Sequence, residues 1–389
     1  MTKRIELVDA IRGFALFGIL LVHALEQFDL ANYPEATGVL AELNIIIRKV
    51  VFFIFASKAY SIFSIMFGFS FFIQLNNREV KGEDFRLRFV WRLVILFIIG
   101  YIFSLFYIGE ILTIFALLGL ILVPMYKLKT PFLIILGVLF TIQIPTLYNL
   151  FISFTDNAFV HKNSWHHWAL VSKTFMEGSF FDVVNFNSIN GHLAKWQFMI
   201  NTNRYIQMIG LFIVGLLLGR FKYFKNIDKH KKITLKVLMV CGLLALVFHY
   251  VPLSFQESTF SKVQIDLLNQ LFSSYFNFVF TFFIIALFIV IYSSIFQKAK
   301  SSILINYGRM SLTNYVVQAL FGTIFFYGYG FAMYKYFGAT MCFLYGTTFF
   351  VLQGFFCKFW LKHFYYGPLE WVWRAFTLMD FKLKFRKIN

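Results

Sequence analysis

Long apolar runs alternate with short polar joins along the whole chain. Ten runs reach the length that crosses a bilayer, about 20 residues each. They lie at residues 7–28, 52–75, 89–108, 110–126, 131–154, 204–222, 232–252, 272–296, 310–334 and 338–361. The stretch 38–51 reads as an interfacial helix leading into the second run. Runs of this length predict an all-α fold, a polytopic integral membrane helical bundle of about ten transmembrane helices. Residues 1–389 form a single multi-spanning membrane domain, with no repeat of solenoid length and no separate soluble unit.

The joins sort by charge. Arg78, Lys81, Arg86 and Arg88 lie between the second and third runs, and Lys127 and Lys129 between the fourth and fifth. Lys222, Lys225, Lys229, Lys231 and Lys232 follow the sixth, and Lys298 and Lys300 the eighth. The tail 375–389 adds Lys382, Lys384, Arg386 and Lys387. The positive-inside rule puts all of these on the cytoplasmic side, with both termini, in a bacterial inner membrane. Segment 155–203 then lies outside. With Trp165, Trp168 and Trp196 it is too long and aromatic for a plain connector, so it reads as a lid over the outer mouth. Its histidines, His161, His166, His167 and His192, have neither i,i+4 spacing nor a cysteine partner, so no metal site is expected.

Composition agrees with this class. Hydrophobic residues make up 59% of the chain and charged residues 14%, where a soluble domain carries about a quarter. The net charge of +18 is accounted for by the basic joins, so no nucleic-acid partner is implied. Met1-Thr-Lys3-Arg4 runs straight into the first apolar run, as an uncleaved anchor does. Cys241, Cys342 and Cys357 stand alone within apolar runs and form neither a metal pattern nor a disulfide framework. Gly210, Gly215, Gly219 and Gly322 are expected at close helix contacts.

The candidate chemistry starts in the first run. Asp9 stands one turn before Arg12, and His23 lies eleven residues beyond Arg12. Helix geometry brings Arg12 and His23 to nearly one face, roughly 16 Å apart. Ionisable groups inside a span are costly and usually face the bundle interior. By depth, His23, Lys58, Glu110 and Arg204 fall at the outer level. Asp9, Arg12, Arg92, Arg309 and an i,i+4 pair of Glu370 with Arg374 fall at the inner one. Plainer roles exist for several: Glu110 favoured at a helix start, Lys58 snorkelling, Arg92 and Arg309 obeying the inside rule.

Five stretches carry a family resemblance. They are Asp9-Ala-Ile-Arg12-Gly13-Phe14-Ala15-Leu16-Phe17-Gly18, Lys58-Ala-Tyr60-Ser61-Ile-Phe63-Ser64-Ile-Met-Phe67-Gly68, Gly109-Glu110-Ile111-Leu112, Gly308-Arg309-Met310-Ser311-Leu312-Thr313-Asn314-Tyr315 and Gly367-Pro368-Leu369-Glu370-Trp371-Val-Trp373-Arg374. In this order they resemble the YeiB-like family of bacterial membrane proteins, the domain of unknown function 418 family. Family members typically have Asp where Glu110 stands and Asn where His23 stands. The first difference keeps the charge; the second changes the chemistry. Asp9-x-x-Arg12-Gly13 followed by His23 also resembles the first helix of the acyltransferase 3 family, within the wider transmembrane-acyltransferase group.

That second resemblance implies transfer of an acyl group from cytosolic acyl-CoA, a co-substrate, to an extracytoplasmic glycan or lipid acceptor. No permanently bound cofactor is implied, and the bilayer is the constant partner. His23 would be the base, oriented by Glu110 or Glu26, with Lys58 or Arg204 stabilising the oxyanion. Arg12, Arg92 and Arg309, with Asp9, Arg204 and Asn314, would bind substrate or donor. A transporter or flippase for an anionic lipid or metabolite would use the same cations without chemistry. A non-catalytic scaffold would use them as glue between spans.

Overall fold

The computed structural model describes residues 4–156, 159–160, 168, 170–257, 259–296 and 303–387. His161, Trp165, His166 and His167 of the outer segment lie outside the described residues, as do Lys298 and Lys300. The helices run in order α1 (Glu6–Leu25), α2 (Gly38–Phe55), α3 (Lys58–Glu79), α4 (Arg86–Ser104), α5 (Leu112–Gly119), α6 (Leu122–Met125), α7 (Thr130–Thr141) and α8 (Ile144–Thr155). Then come α9 (Val171–Glu177), α10 (Phe180–Phe186), α11 (His192–Asn201), α12 (Arg204–Arg220), α13 (Ile227–Tyr250) and α14 (Lys262–Ile291). Last are α15 (Ile303–Arg309), α16 (Ser311–Phe326), α17 (Ala339–His363) and α18 (Pro368–Leu378). Among the described residues β-pairing is limited to an isolated bridge, Phe364 with Arg386.

Every apolar run became helix, but several did so in pieces. Five helical segments are long and apolar enough to cross a membrane, starting at Glu6, Arg86, Tyr223, Lys262 and Ala339. Two bent pairs bring the number to as many as seven: α7 with α8 at 49°, and Phe180–Asn201 with α12 at 75°. The run 131–154 breaks where Gln143 turns left-handed (φ 61°), just before Pro145, whose ring cannot continue a helix from the preceding turn. The run 110–126 divides into α5 and the single turn α6. Helix α3 is long enough but carries Lys58, Gln74, Asn76, Asn77 and Arg78, which lower its hydropathy.

The first helix sits at the centre. Of its 20 residues, 14 are buried, including Asp9. Its N-terminal half packs on α15 with backbone against backbone: a Cβ on Gly13 would overlap the Leu304 carbonyl, and one on Gly308 the Asp9 carbonyl. Helices α3 and α12 make the most extensive contact of the bundle and run parallel, since Arg204 meets Ser57 at one end and Gly219 meets Phe72 at the other. Gly68 and Gly215 let them touch there, because small residues allow backbones to approach. Outside this core the apolar side chains face outward. Val39, Ile46, Val50 and Phe53 of α2, and Met239, Leu243 and Leu246 of α13, are exposed. An apolar belt around helices whose backbone groups are internally bonded is the surface of a membrane protein.

Candidate functional site

Helix α1 ends at Leu25, and the chain then turns through residues of unusual conformation. Gln27, Phe28, Asp29 and Ala31 all have positive φ, between 48° and 75°. Each such non-glycine residue costs about 1–2 kcal/mol, and such strain persists where surroundings enforce it. Here they do. The Gln27 side-chain amide donates to the carbonyls of Tyr334 (3.1 Å) and Phe337 (2.8 Å), and Tyr327 Oη donates to the Phe28 carbonyl at 2.9 Å. Gly322 leaves room for the Phe28 ring, which a Cβ would overlap.

The enforced turn assembles a polar cluster around His23. His23 Nδ1 and Tyr107 Oη are hydrogen-bonded at 2.7 Å, and Glu26 Oε2 lies 3.8 Å from the same nitrogen. Tyr107 is fully buried, whereas the imidazole is partly open. Asp29 Oδ2 is buried with no hydrogen-bond partner among the described residues and lies by Gly109, where a Cβ would meet it at 2.8 Å and would overlap Tyr107 Oη. Burial raises the Asp29 carboxyl to about 7; Glu26 pushes the same way, while His23 and Tyr107 oppose. The cluster thus holds an imidazole, a phenol and two carboxylates.

Guanidinium groups gather at the other end of α1. Asp9 accepts from Arg4 and, at 3.1 Å, from Arg12, whose second nitrogen donates to Ser70 Oγ. Arg92 stacks over Trp373 at 3.5 Å, within electrostatic reach of Arg374 and Arg12. Arg309 lies near Arg4, Glu6 and Asp9. The Nε atoms of Arg92 and Arg309 are buried and have no hydrogen-bond partner among the described residues. Arg12, Arg92 and Arg309 therefore converge on one end of the bundle, as their positions predict.

A family profile described as "Protein of unknown function (DUF418)" matches residues 218–380. The chain is 28% identical to uncharacterized protein YxaH of Bacillus subtilis (strain 168), over 98% of this chain and 96% of that one. It is 26% identical to an uncharacterized 39.9 kDa protein in the amylase 3' region of Bacillus acidopullulyticus, over 97% and 94% of the two chains. Uncharacterized protein YeiB of Escherichia coli (strain K12) matches at 37% over 71 residues, 18% of each chain. The chain is thus similar to YeiB-like proteins, and its residues 218–380 carry the DUF418 pattern. No solved structure matches it.

In this YeiB-like chain the remaining candidates fall elsewhere. Glu110 does not touch His23. It accepts from Lys195 Nζ (2.8 Å), from the Thr113 amide (2.7 Å) and from the Thr113 hydroxyl (2.8 Å), all buried. The hairpin tip thus turns Tyr107 toward His23 and Glu110 toward α11. Lys58 and Arg204 face each other, and neither bonds to His23 among the described residues. The Asn314 amide donates to the Tyr307 carbonyl (3.0 Å) and pairs with Cys357 Sγ rather than with an arginine among the described residues. Glu370 does not pair with Arg374; it accepts from the Leu312 and Thr313 amides and caps α16.

Tyr107, Asp29 and Lys195 escaped the reading of the residues. Tyr107 is one of 20 tyrosines. Asp29 follows the end of the first apolar run, where a loop carboxylate is ordinary. Lys195 is a single cation in an outer segment whose histidines attract more notice.

Proposed function

We propose that this chain is a membrane acyltransferase, built like the transmembrane-acyltransferase group, that moves an acyl group from acyl-CoA to a hydroxyl or amine at the His23 end. The observation that carries the reading is the bond between His23 and Tyr107 at one end of a helix whose other end collects guanidinium groups. An imidazole acts as a base when one nitrogen is protonated and held and the other is bare. With Asp29 ionised, Tyr107 donates its proton toward the carboxylate, and its oxygen accepts a hydrogen bond from the protonated Nδ1 of His23. Nε2 is then bare and removes a proton from the acceptor. The acceptor atom attacks the thioester carbonyl, the C–S bond breaks, and the CoA thiolate takes the proton back from the imidazolium. Arg12, Arg92 and Arg309 suit the donor phosphates, since guanidinium forks match phosphate oxygens.

Acyl-CoA binding and thioester cleavage in nanodiscs test this. His23→Ala is expected to keep donor binding and lose turnover, because a base acts in the transition state. Arg12→Ala is expected to weaken binding by about 1.5–3 kcal/mol, the scale of a charged hydrogen bond. Full turnover in His23→Asn, or no acyl-CoA binding by folded wild type, overturns the reading. The basic joins support an orientation in the bacterial inner membrane with both termini cytoplasmic and the His23 end outside.

A transporter for an anionic lipid or metabolite is the second reading. The unpartnered Nε atoms of Arg92 and Arg309 favour it, because they ask for an anion without asking for chemistry.

A further inference from the structure

Lys58 opens α3 and is 4% exposed, yet among the described residues its ammonium has no hydrogen bond and no carboxylate. Three rings stand around it instead: Phe276 at 5.0 Å, Phe280 at 5.7 Å and Phe53 at 5.9 Å. The charge facing it is a second cation, Arg204. Arg204 donates to Ser57 Oγ at 3.0 Å, and its guanidinium lies over the rings of Phe198 (4.6 Å) and Tyr60 (5.5 Å). Two cations, one buried and one half-buried, thus lie within electrostatic reach of each other, and neither has a carboxylate partner among the described residues. Repulsion in such a setting is relieved by an anion that touches both.

The backbone adds to the same field. Helices α3 and α12 begin side by side, at Lys58 and Arg204, after left-handed Ser57 (φ 65°) and Asn203 (φ 52°), and neither start has a side-chain cap. The uncapped first turns of two helices therefore start at the two cationic residues, and a helix start of this kind favours an anion. The surroundings say where the anion comes from. Phe53, a wall of the cage, is 45% exposed and shares the outward face of α2 with Val39, Ile46 and Val50. One wall of the cage is therefore part of an exposed apolar surface.

We propose that Lys58 and Arg204 hold the phosphate of an anionic lipid whose chains lie against α2 and α14. The charge of both residues supplies the recognition, and the Phe cage holds the ammonium in place while excluding water from the contact. Depth is consistent with a headgroup near the His23 end. Phe55, three residues before Lys58, packs against Gly18 and Phe14 of α1, on the His23 side of Arg12. The inference stands without the acyl-transfer reading.

The test uses full-length protein in phosphatidylcholine nanodiscs, in the same nanodiscs containing phosphatidylglycerol, and in phosphatidylcholine nanodiscs with inorganic phosphate. Melting temperature and lipid retained in native mass spectrometry are read for wild type, Lys58→Met, Arg204→Gln and Lys58→Arg. Lys382→Gln, at an exposed tail cation, controls for general charge. Phosphatidylglycerol is expected to raise the wild-type melting temperature and stay bound. Lys58→Met and Arg204→Gln should retain at least about tenfold less, the loss expected for one charged hydrogen bond. Lys58→Arg and Lys382→Gln should retain it as wild type does. Three results overturn the proposal: no wild-type preference for phosphatidylglycerol, equal retention by the neutral variants, or stabilisation by inorganic phosphate alone that matches the lipid. The first needs no variant to fold, and no measurement involves an acyl donor.

Discussion

Lys195 Nζ and Glu110 Oε2 lie 2.8 Å apart with almost no solvent exposure, and Thr113 Oγ1 is 2.9 Å from the same ammonium. This pair fastens α11 to the hairpin tip that also carries Tyr107. Removing one partner leaves an uncompensated buried charge, which costs about 3–5 kcal/mol. Lys195→Met and Glu110→Gln are therefore each expected to destabilise the protein strongly in detergent. The double variant should cost less than the sum of the two, because it leaves no lone charge. Strict additivity in a thermal double-mutant cycle would show that the pair is not coupled.

Asp29 makes the His23 end sensitive to pH. Its carboxyl, raised by burial to about 7, keeps a proton in the native state that the unfolded chain has released above about 4. Stability is therefore expected to fall as pH rises from about 4 to about 7 and to level off above that. Asp29→Asn should lack this slope. Melting curves of both proteins from pH 5 to 8 decide it, and parallel profiles would refute the assignment. Under acyl transfer, thioester cleavage should rise over the same range, as ionised Asp29 frees Nε2 of His23.

At the seam of α3 and α12, a Cβ on Gly68 would overlap the Phe212 carbonyl, and one on Gly215 the Ile65 carbonyl. Alanine at either position is expected to destabilise by about 1–3 kcal/mol, the usual cost of overpacking. Gly137 offers a control, because its added Cβ would meet Ile213 Cγ2 at 3.4 Å, an ordinary contact. Gly137→Ala should be neutral, or stabilise by up to about 1 kcal/mol through the unfolded state. Equal melting temperatures for all three variants would mean that the seam yields.

Much of this arrangement is legible in the residues, and the limit is physical. Apolar runs mark helices because lipid and core both demand them, and rise per residue fixes depth along an axis. Asp9, Arg12, Arg92 and Arg309 fall together as depth predicts. Depth does not fix lateral neighbours. Glu110 and His23 share a level, yet Glu110 turns to Lys195 because the hairpin tip presents its two sides to different helices. Tyr107 and Asp29 meet His23 through four left-handed residues that nothing in their types announces. The glycines divide similarly. Gly210, Gly215, Gly219 and Gly322 all stand where a Cβ would be too close to a neighbour, at Gly210 2.6 Å from Thr141 Cγ2, but their partners came with the fold.

Orientation is open to chemical labelling. In a cysteine-free background, a single cysteine at exposed Phe181 is expected to react with an impermeant maleimide in intact cells, and one at exposed Lys225 is not. The reverse pattern would turn the bundle over and put the His23 end in the cytoplasm.

The seam between Gly13 and Gly308 bears on how the molecule can move. Main chain meets main chain there, with no side chains to change rotamer and no gap to slide into. Helices α1 and α15 are thus obliged to travel as one body, and the arginine end of α1 has no freedom to tilt against its neighbour. Any cycle that exposes a substrate alternately to the two faces must find its hinge elsewhere. Helix α13 buries just Thr234 and Ala245 and packs chiefly on α14, so that peripheral pair is where the architecture leaves room to move. For the central helix, what passes along it must do so past stationary walls.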